Sequence, residues 1–244
     1  MLTFLFCFAH PDDESFACAG TVMKYAERGV KSVLVTATRG QRGSAGTPAL
    51  CTIDELPSVR EQELRDAAAI IGFNELHVLD YQDQHLAEAT RAQIQPVLVG
   101  HIRRLQPAIV FTFDPDGVNR HPDHVAISRF TIDAVAAAAD PRCHPGTGSV
   151  YAVPRMLWTP PITPWDAATH DRLDDVPGAD YVIDVSAFRE RRIAALRAHR
   201  TQHVSIDRCF FDRPDLHRIL DRDIWRRSSG TLLNTPLDDV LAGF

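Results

Sequence analysis

The sequence predicts an α/β fold, with a parallel sheet flanked by helices and a less regular C-terminal portion. Two observations carry this prediction. Continuous apolar runs, such as residues 2–8 and 108–113, are typical of strands buried on both faces of a parallel sheet. Segments with helical spacing of apolar residues alternate with these runs in the first half of the chain, as in a right-handed succession of strand–helix units.

The first half contains four predicted strands and four predicted helices. The helix that begins at Ser58 has the capping-box spacing Ser58-Val59-Arg60-Glu61 and ends at Gly72. In chain order, the strands are 2–8, 31–37, 75–79 and 108–113, and the helices are 15–28, 58–71, 90–105 and 122–139.

The second half gives weaker patterns. Residues 149–159 and 180–185 resemble strands, 186–200 form a basic amphipathic helix, and 214–226 carry a weak helical signal. A proline-rich loop at 158–178 is too long to be a simple connection. Because no linker divides the chain, we expect a single domain over residues 1–244. Its core would be residues 1–140, and an extension at 141–244 would complete the site.

Composition narrows the classes of function. The 244 residues include 26 Lys and Arg against 32 Asp and Glu, which gives a net charge of −6. The sequence has no block of basic residues of the kind that would indicate binding to nucleic acid or anionic lipid. The five cysteines form no Cys-x-x-Cys pair, which favours reduced thiols in a cytoplasmic protein. The N-terminus lacks the basic segment of a signal peptide, and no apolar stretch is long enough to insert in a membrane.

Two polar clusters follow buried strands. After the first strand the chain reads Ala-His-Pro-Asp-Asp-Glu at 9–14, and after the fourth it reads His-Pro-Asp-His at 121–124. Acidic residues and proline at a helix start are common caps, so capping alone is an alternative explanation for each cluster. Capping does not explain the three histidines in these clusters. The chain has 11 histidines, an unusually high number.

Taken together, the clusters predict a metal site. The carboxyl ends of parallel strands share one edge of the sheet, which is where such folds bind ligands. His10, Asp13 and His124 can supply the three protein ligands of a catalytic zinc site that keeps an open position. Asp12 and His121 are then left as a base and an acid.

These motifs resemble the PIG-L/LmbE family of metal-dependent N-acetylglucosaminyl deacetylases. The resemblance covers most of residues 1–135, and AHRTQ at 198–202 is similar to a later family signature. It implies a Rossmann-like fold and the hydrolysis of an N-acetyl group from an N-acetylglucosamine-like sugar or conjugate. The family pattern gives the same three zinc ligands, with Fe²⁺ or another divalent ion as an alternative to Zn²⁺.

The resemblance also implies individual roles. Asp12 would be the general base, His121 would stabilise the oxyanion or protonate the leaving amine, and Asp123 would orient His121 and keep it charged. Arg60 and Asp83 match positions that contact the sugar. Some members carry a tyrosine two residues before the first histidine of HPDH, where this sequence has Asn119.

Two other functions remain open at this point. A metal-dependent phosphoesterase acting on a small molecule also uses His and Asp clusters, with further carboxylates for a second metal. A non-enzymatic binding module would use both clusters only as helix caps. The deacetylase hypothesis predicts a small amino-sugar substrate, and it leaves room for a homo-oligomer.

Overall fold

A computed structural model describes residues 1–170 and 176–244. The seven strands are β1 (Thr3–Phe8), β2 (Lys31–Thr38), β3 (Glu75–Tyr81), β4 (Ile109–Thr112), β5 (Arg155–Trp158), β6 (Tyr181–Asp184) and β7 (Arg222–Arg227). The helices are α1 (Asp13–Ala17), α2 (Ala19–Ala26), α3 (Leu56–Ile71), α4 (Arg91–Leu105), α5 (Gly117–Arg120), α6 (Pro122–Ala138), α7 (Pro164–Ala167), α8 (Arg189–Ala198), α9 (His203–Ile206) and α10 (Leu216–Leu220).

The strands form one sheet in the order β3-β2-β1-β4-β5-β7-β6. The first five strands are parallel, which confirms the predicted α/β class. Helices α4 and α6 pack together, and α3 packs against α8. Among the described residues, no helix has the length and apolarity needed to span a bilayer.

The C-terminal half corrects two expectations. Strand β7 pairs antiparallel with both β5 and β6, so the sheet is mixed rather than wholly parallel. The helical signal at 214–226 is wrong beyond Leu220, because the chain enters β7 at Arg222. This strand reads Arg-Asp-Ile-Trp-Arg-Arg. It has only two apolar residues in a row, so it lacks the continuous apolar run from which the first strands were predicted.

Two helix starts also differ from the prediction. The predicted helix 15–28 is two short helices, α1 and α2, which are interrupted at Cys18. Helix α3 begins at Leu56, so Ser58 lies inside the first turn and the predicted capping box is wrong. A capping box is instead formed by Thr90 and Gln93 at the start of α4.

A buried aromatic cluster anchors the two strands that carry the polar motifs. Phe6 of β1 stacks on Phe111 of β4, with ring centroids 4.5 Å apart, and Phe4 contacts the same ring at 5.2 Å. Trp225 of β7 also packs on Phe111, at 4.7 Å. These contacts hold β1 and β4 side by side, so the loops that follow them leave the sheet at the same edge.

A buried ion pair ties the C-terminal half to this core. Arg192 of α8 lies 2.9 Å from Asp223 of β7, and both side chains are 1% exposed. The Asp223 carboxylate also accepts hydrogen bonds from the backbone N–H and the hydroxyl of Thr21 in α2. One carboxylate therefore joins three elements that are far apart in the sequence.

Replacing Asp223 by alanine should lower the free energy of unfolding by about 3–5 kcal/mol, because Arg192 would remain buried without its partner. Urea denaturation measures this change. Asp221→Ala is the matched control, since its partner Arg189 is partly exposed and such pairs contribute only about 0–1 kcal/mol. Equal losses in the two variants would contradict a structural role for the buried pair.

Candidate metal centre and active site

The two histidine motifs meet at the carboxyl edge of the sheet. Strands β1 and β4 are hydrogen-bonded neighbours, with Phe6 opposite Phe111. His10 follows β1, and His121 and His124 lie at the start of α6, beyond β4. The rings of His10 and His121 have their centroids 4.7 Å apart, and those of His10 and His124 are 5.2 Å apart. The structure thus brings together two motifs that are distant in the sequence.

Asp13 lies between two imidazoles. One carboxylate oxygen is 3.3 Å from Nε2 of His124, and the other is 3.7 Å from Nδ1 of His10. All three side chains are buried. Burial disfavours the Asp13 carboxylate, but His124 and His10 hold the pKa of Asp13 well below its usual range. A carboxylate and two imidazoles are ligand types that a divalent metal ion such as Zn²⁺ accepts.

Among the described residues, two groups have potential ligand atoms that all lie within 4.8 Å of one another, and the predicted set with Asp13 is not one of them. One consists of His10, His121 and His124, and the other of His10, Asp83 and Asp123. Both groups contain His10. The contacts of its two ring nitrogens therefore indicate which neighbours can share a metal ion with it.

The Nε2 atom of His10 is occupied by carboxylates. It lies 3.1 Å from Asp83 Oδ1 and 3.1 Å from Asp123 Oδ2. Burial disfavours the charged ring, but Asp123 and Asp83 outweigh burial and raise the pKa of His10 to about 10. A ligand histidine commonly donates its second ring N–H to a carboxylate, which fixes the ring orientation. This arrangement leaves Nδ1, on the Asp13 side, as the nitrogen for a metal.

The carboxylate of Asp123 does not lie behind His121, as the family pattern implies. Besides His10, it accepts hydrogen bonds from the backbone N–H groups of Gln84 and Leu86. Only the backbone N–H of Asp123 reaches His121, where it donates to Nδ1 at 3.2 Å. The side chain therefore orients His10, and the main chain orients His121.

His121 caps helix α6, and this fixes its tautomer. Because Nδ1 accepts a hydrogen bond from the helix start, the proton of the neutral ring lies on Nε2. Burial and the charges of His10 and His124 lower the pKa of His121. Asp123 raises this pKa, but burial and the two neighbouring histidines outweigh it, so the net shift runs against the expected charged ring.

Asp12 has an unusual backbone conformation. Its φ is 114°, in a region that favours glycine and that costs an aspartate about 1–3 kcal/mol. One carboxylate oxygen lies 3.2 Å from Nη2 of Arg60. Burial raises the pKa of Asp12 to about 6, against the lowering effect of Arg60.

The guanidinium of Arg60 contacts Asp12 and backbone oxygens of this chain. Its guanidinium is almost fully buried, and it donates to the backbone oxygens of Pro11 and Gly40. A Cβ atom at Gly40 or Gly43 would collide with this guanidinium. The two glycines thus make room for Arg60, which explains their place in the loop after β2.

Two buried residues near Asp12 escaped the sequence-based reasoning. Glu14 accepts the backbone N–H of Asp12 at 3.1 Å through one oxygen, and through the other it contacts Nε2 of His199 at 2.7 Å. Burial disfavours a charged His199, but Glu14 raises its pKa. The AHRTQ motif at 198–202 is the sequence feature that could have pointed to His199. Its position at the end of α8 indicates by itself only a favourable interaction with the helix dipole.

A cavity of about 340 Å³ is lined by His10, Asp12, Asp13, Arg60, Asp83, His121 and His124. Asn119 lines it, and its side-chain oxygen accepts the backbone N–H of His121 at 3.0 Å. The long loop at 158–178 contributes Pro160, Ile162 and Trp165 to the cavity wall. Part of that loop, 171–175, lies outside the described residues.

Residues 5–135 match the family described as PIG-L: GlcNAc-PI de-N-acetylase. The chain belongs to the PIG-L family. It is 37% identical over 199 residues to a probable N-acetyl-α-D-glucosaminyl L-malate deacetylase 2 from Bacillus anthracis, covering 81% of this chain and 80% of the relative. It is 31% identical over 249 residues to a 1D-myo-inositol 2-acetamido-2-deoxy-α-D-glucopyranoside deacetylase from Streptomyces avermitilis, covering 85% and 84%.

A solved structure gives the same fold. The conserved protein TT1542 from Thermus thermophilus aligns with a TM-score of 0.72 and 27% identity, covering 96% of this PIG-L family member and 97% of that chain. The deacetylase names of the two sequence relatives do not support the phosphoesterase alternative.

Proposed function

We propose that this PIG-L family member removes the N-acetyl group from an N-acetylglucosamine-type sugar conjugate in a metal-dependent reaction. The observation that carries the proposal is the position of Asp12 in the same cavity as His10, Asp13 and His124. Water attack on an amide needs an activated carbonyl, a base for the water proton and an acid for the leaving nitrogen. The cavity offers a group for each task.

His10, Asp13 and His124 would hold the metal ion, and we propose Zn²⁺ because it accepts both imidazole and carboxylate ligands. A bound Zn²⁺ supplies a Lewis acid that polarises the acetyl oxygen and lowers the pKa of water. Asp83 and Asp123 set the orientation of His10 through its Nε2 atom.

Asp12 would take the proton from the attacking water and return it to the departing nitrogen. Its side chain is 17% exposed, and Asp12 lines the cavity. His121 would donate its Nε2–H to the oxygen that becomes negative as water adds to the carbonyl. The second water proton, released as the acetic acid ionises, also ends on the amine, so the products are acetate and an ammonium group and Asp12 is unchanged at the end.

Arg60 and the Glu14–His199 pair would act as positioning residues for Asp12. Arg60 holds the carboxylate, and Glu14 holds the backbone N–H of the same residue. A strained backbone persists only when its surroundings over-determine it. We therefore propose that the buried contact between His199 and Glu14 keeps Asp12 oriented toward the attacking water.

Replacing His199 by leucine should lower kcat about 10- to 100-fold with little change in KM, since small misplacements of a catalytic group have effects of this size. His199→Gln can still donate to Glu14 and should recover most of the loss. Kinetics are measured on folded protein of known metal content. A His199→Leu variant that is only less stable, with unchanged kcat per folded molecule, would contradict the positioning role.

We further infer that residues 1–244 act as one domain. The support is the shared sheet, in which β7 joins β5 to β6, together with the contacts that Asp223 makes with Arg192 and Thr21. A single cooperative unfolding transition, with the same midpoint by fluorescence and circular dichroism, is the expected result.

The reaction is tested by incubating the purified protein and Zn²⁺ with a panel of N-acetylglucosamine conjugates. Released acetate and free amine are then quantified. We expect equal amounts of both from at least one conjugate, and about 10²–10⁴-fold slower release with the Asp12→Asn variant. Phosphate release from an aryl phosphate that is lost in Asp12→Asn, without any deacetylation, would replace this proposal with the phosphoesterase.

A further inference from the structure

The cavity has a second wall that the deacetylation chemistry does not explain. It is apolar and is built by residues from both halves of the chain: Phe16, Pro160, Ile162, Trp165 and Ile219. The rings of Phe16 and Trp165 meet edge to face, with centroids 6.2 Å apart. An acetyl group is too small to need such a wall, so another part of the substrate must contact it.

Charged residues also line the cavity beside this wall, among them Arg208, Arg218 and Arg222. Arg222, at the start of β7, lines the same cavity. Its Nη2 atom is buried and has no hydrogen-bond partner among the described residues. Burial and the nearby charge of Arg218 lower the pKa of Arg222. The Arg222 side chain as a whole is partly exposed, and a carboxylate is a strong partner for a guanidinium.

The names of the relatives indicate which part of the substrate varies. Both relatives act on a 2-acetamido or N-acetyl glucosamine unit, but one carries inositol and the other L-malate. The acyl group is acetyl in both, whereas the group attached to the sugar differs. The apolar wall is therefore better matched to the attached group, the aglycone, than to the acyl group.

We propose that the sugar substrate of this protein carries an apolar aglycone that ends in a carboxylate. The apolar part would lie against Phe16, Trp165 and Ile219, and the carboxylate would bind Arg222. This inference rests on the proposed deacetylase function, because it places the acetyl group at the metal centre of the same cavity.

The test compares three α-linked substrates: the methyl, phenyl and 4-carboxyphenyl glycosides of N-acetylglucosamine. Burial of the ring should raise kcat/KM by roughly tenfold, and the carboxylate should add roughly another tenfold. Trp165→Ala should remove most of the gain from the ring. Arg222→Met should bring the ratio between the carboxyphenyl and phenyl substrates close to one.

Two matched control variants separate these effects from general damage. Trp158 and Arg226 contact each other, with the guanidinium 5.9 Å from the ring centroid, and neither lines the cavity. Arg226 lies on the same strand as Arg222. Trp158→Ala and Arg226→Met should keep the preference for the carboxyphenyl substrate.

The outcomes distinguish this inference from the proposed function. Deacetylation of all three sugars with equal kcat/KM would overturn the inference and leave the function standing. A preference that follows longer N-acyl chains instead would assign the apolar wall to the acyl group and would also overturn it.

A binding measurement covers the remaining case, in which no sugar is deacetylated and the proposed function fails. Calorimetry with 4-carboxyphenyl α-D-glucoside, which has no acetyl group, then decides the inference. Binding that weakens about tenfold in Arg222→Met supports the site. No binding, or binding that is indifferent to Arg222, overturns it.

Discussion

Asp12→Asn should lower kcat for acetate release by about 10²–10⁴-fold, because an amide cannot accept the proton of the attacking water. The substitution keeps the size of the side chain and an oxygen that can still accept a hydrogen bond from Arg60. We therefore expect KM and the bound metal to change little. Steady-state kinetics and metal analysis on the same sample measure both quantities.

A neighbouring aspartate provides the control for this prediction. Asp116 lies in the loop after β4 and is exposed, and it does not line the cavity. Asp116→Asn should retain the parent kcat. If Asp12→Asn retained it as well, the water proton would have to leave through another group, and the assignment of the base would be wrong.

The second large effect is expected at the metal ligands. His124→Ala removes one of the two imidazoles that contact Asp13. Because a direct ligand is lost, metal binding should weaken by more than about 100-fold, beyond the effect of changing an outer partner, and acetate release should fall to background. Asp83→Asn changes only a partner of His10, and it should weaken metal binding about 10- to 100-fold. Competition with a chromogenic chelator ranks the variants.

His217→Ala is the matched control, because His217 is an exposed histidine of α10. It should bind metal like the parent protein. The weaker binding of His124→Ala relative to Asp83→Asn is the essential result. Unchanged metal affinity in His124→Ala would remove this residue from the proposed ligand set.

The clustering of His10, Asp13, His121 and His124 could be predicted from sequence in three physical steps. Two buried runs indicate parallel strands, parallel strands share a carboxyl edge, and each run is followed by histidines and aspartates. The structure places β1 and β4 side by side, which is the one step that the sequence pattern alone left open.

The orientation of individual side chains could not be predicted in the same way. Asp123 is two residues from His121, yet its carboxylate contacts His10, which is 113 positions away. His199 reaches Glu14 across 185 positions. Such contacts depend on how α6 and α8 pack on the rest of the molecule, and this packing cannot be predicted from local sequence patterns.

Strand β7 escapes prediction for a related reason. Its aspartate is neutralised by Arg192 from α8, so a charged residue occupies a buried strand position. A sequence pattern that counts apolar residues treats this position as solvent-exposed, because the compensating charge lies 31 positions earlier in the chain.

We propose that one metal ion, held by His10, Asp13 and His124, supports deacetylation. The most direct measurement is a titration of metal-free protein with Zn²⁺, in which bound metal and acetate release from an active conjugate are followed together. We predict that activity rises linearly and reaches its plateau at one Zn²⁺ per chain. Acetate release that persists at full rate in a chelator, or that requires a second equivalent, would contradict the claim.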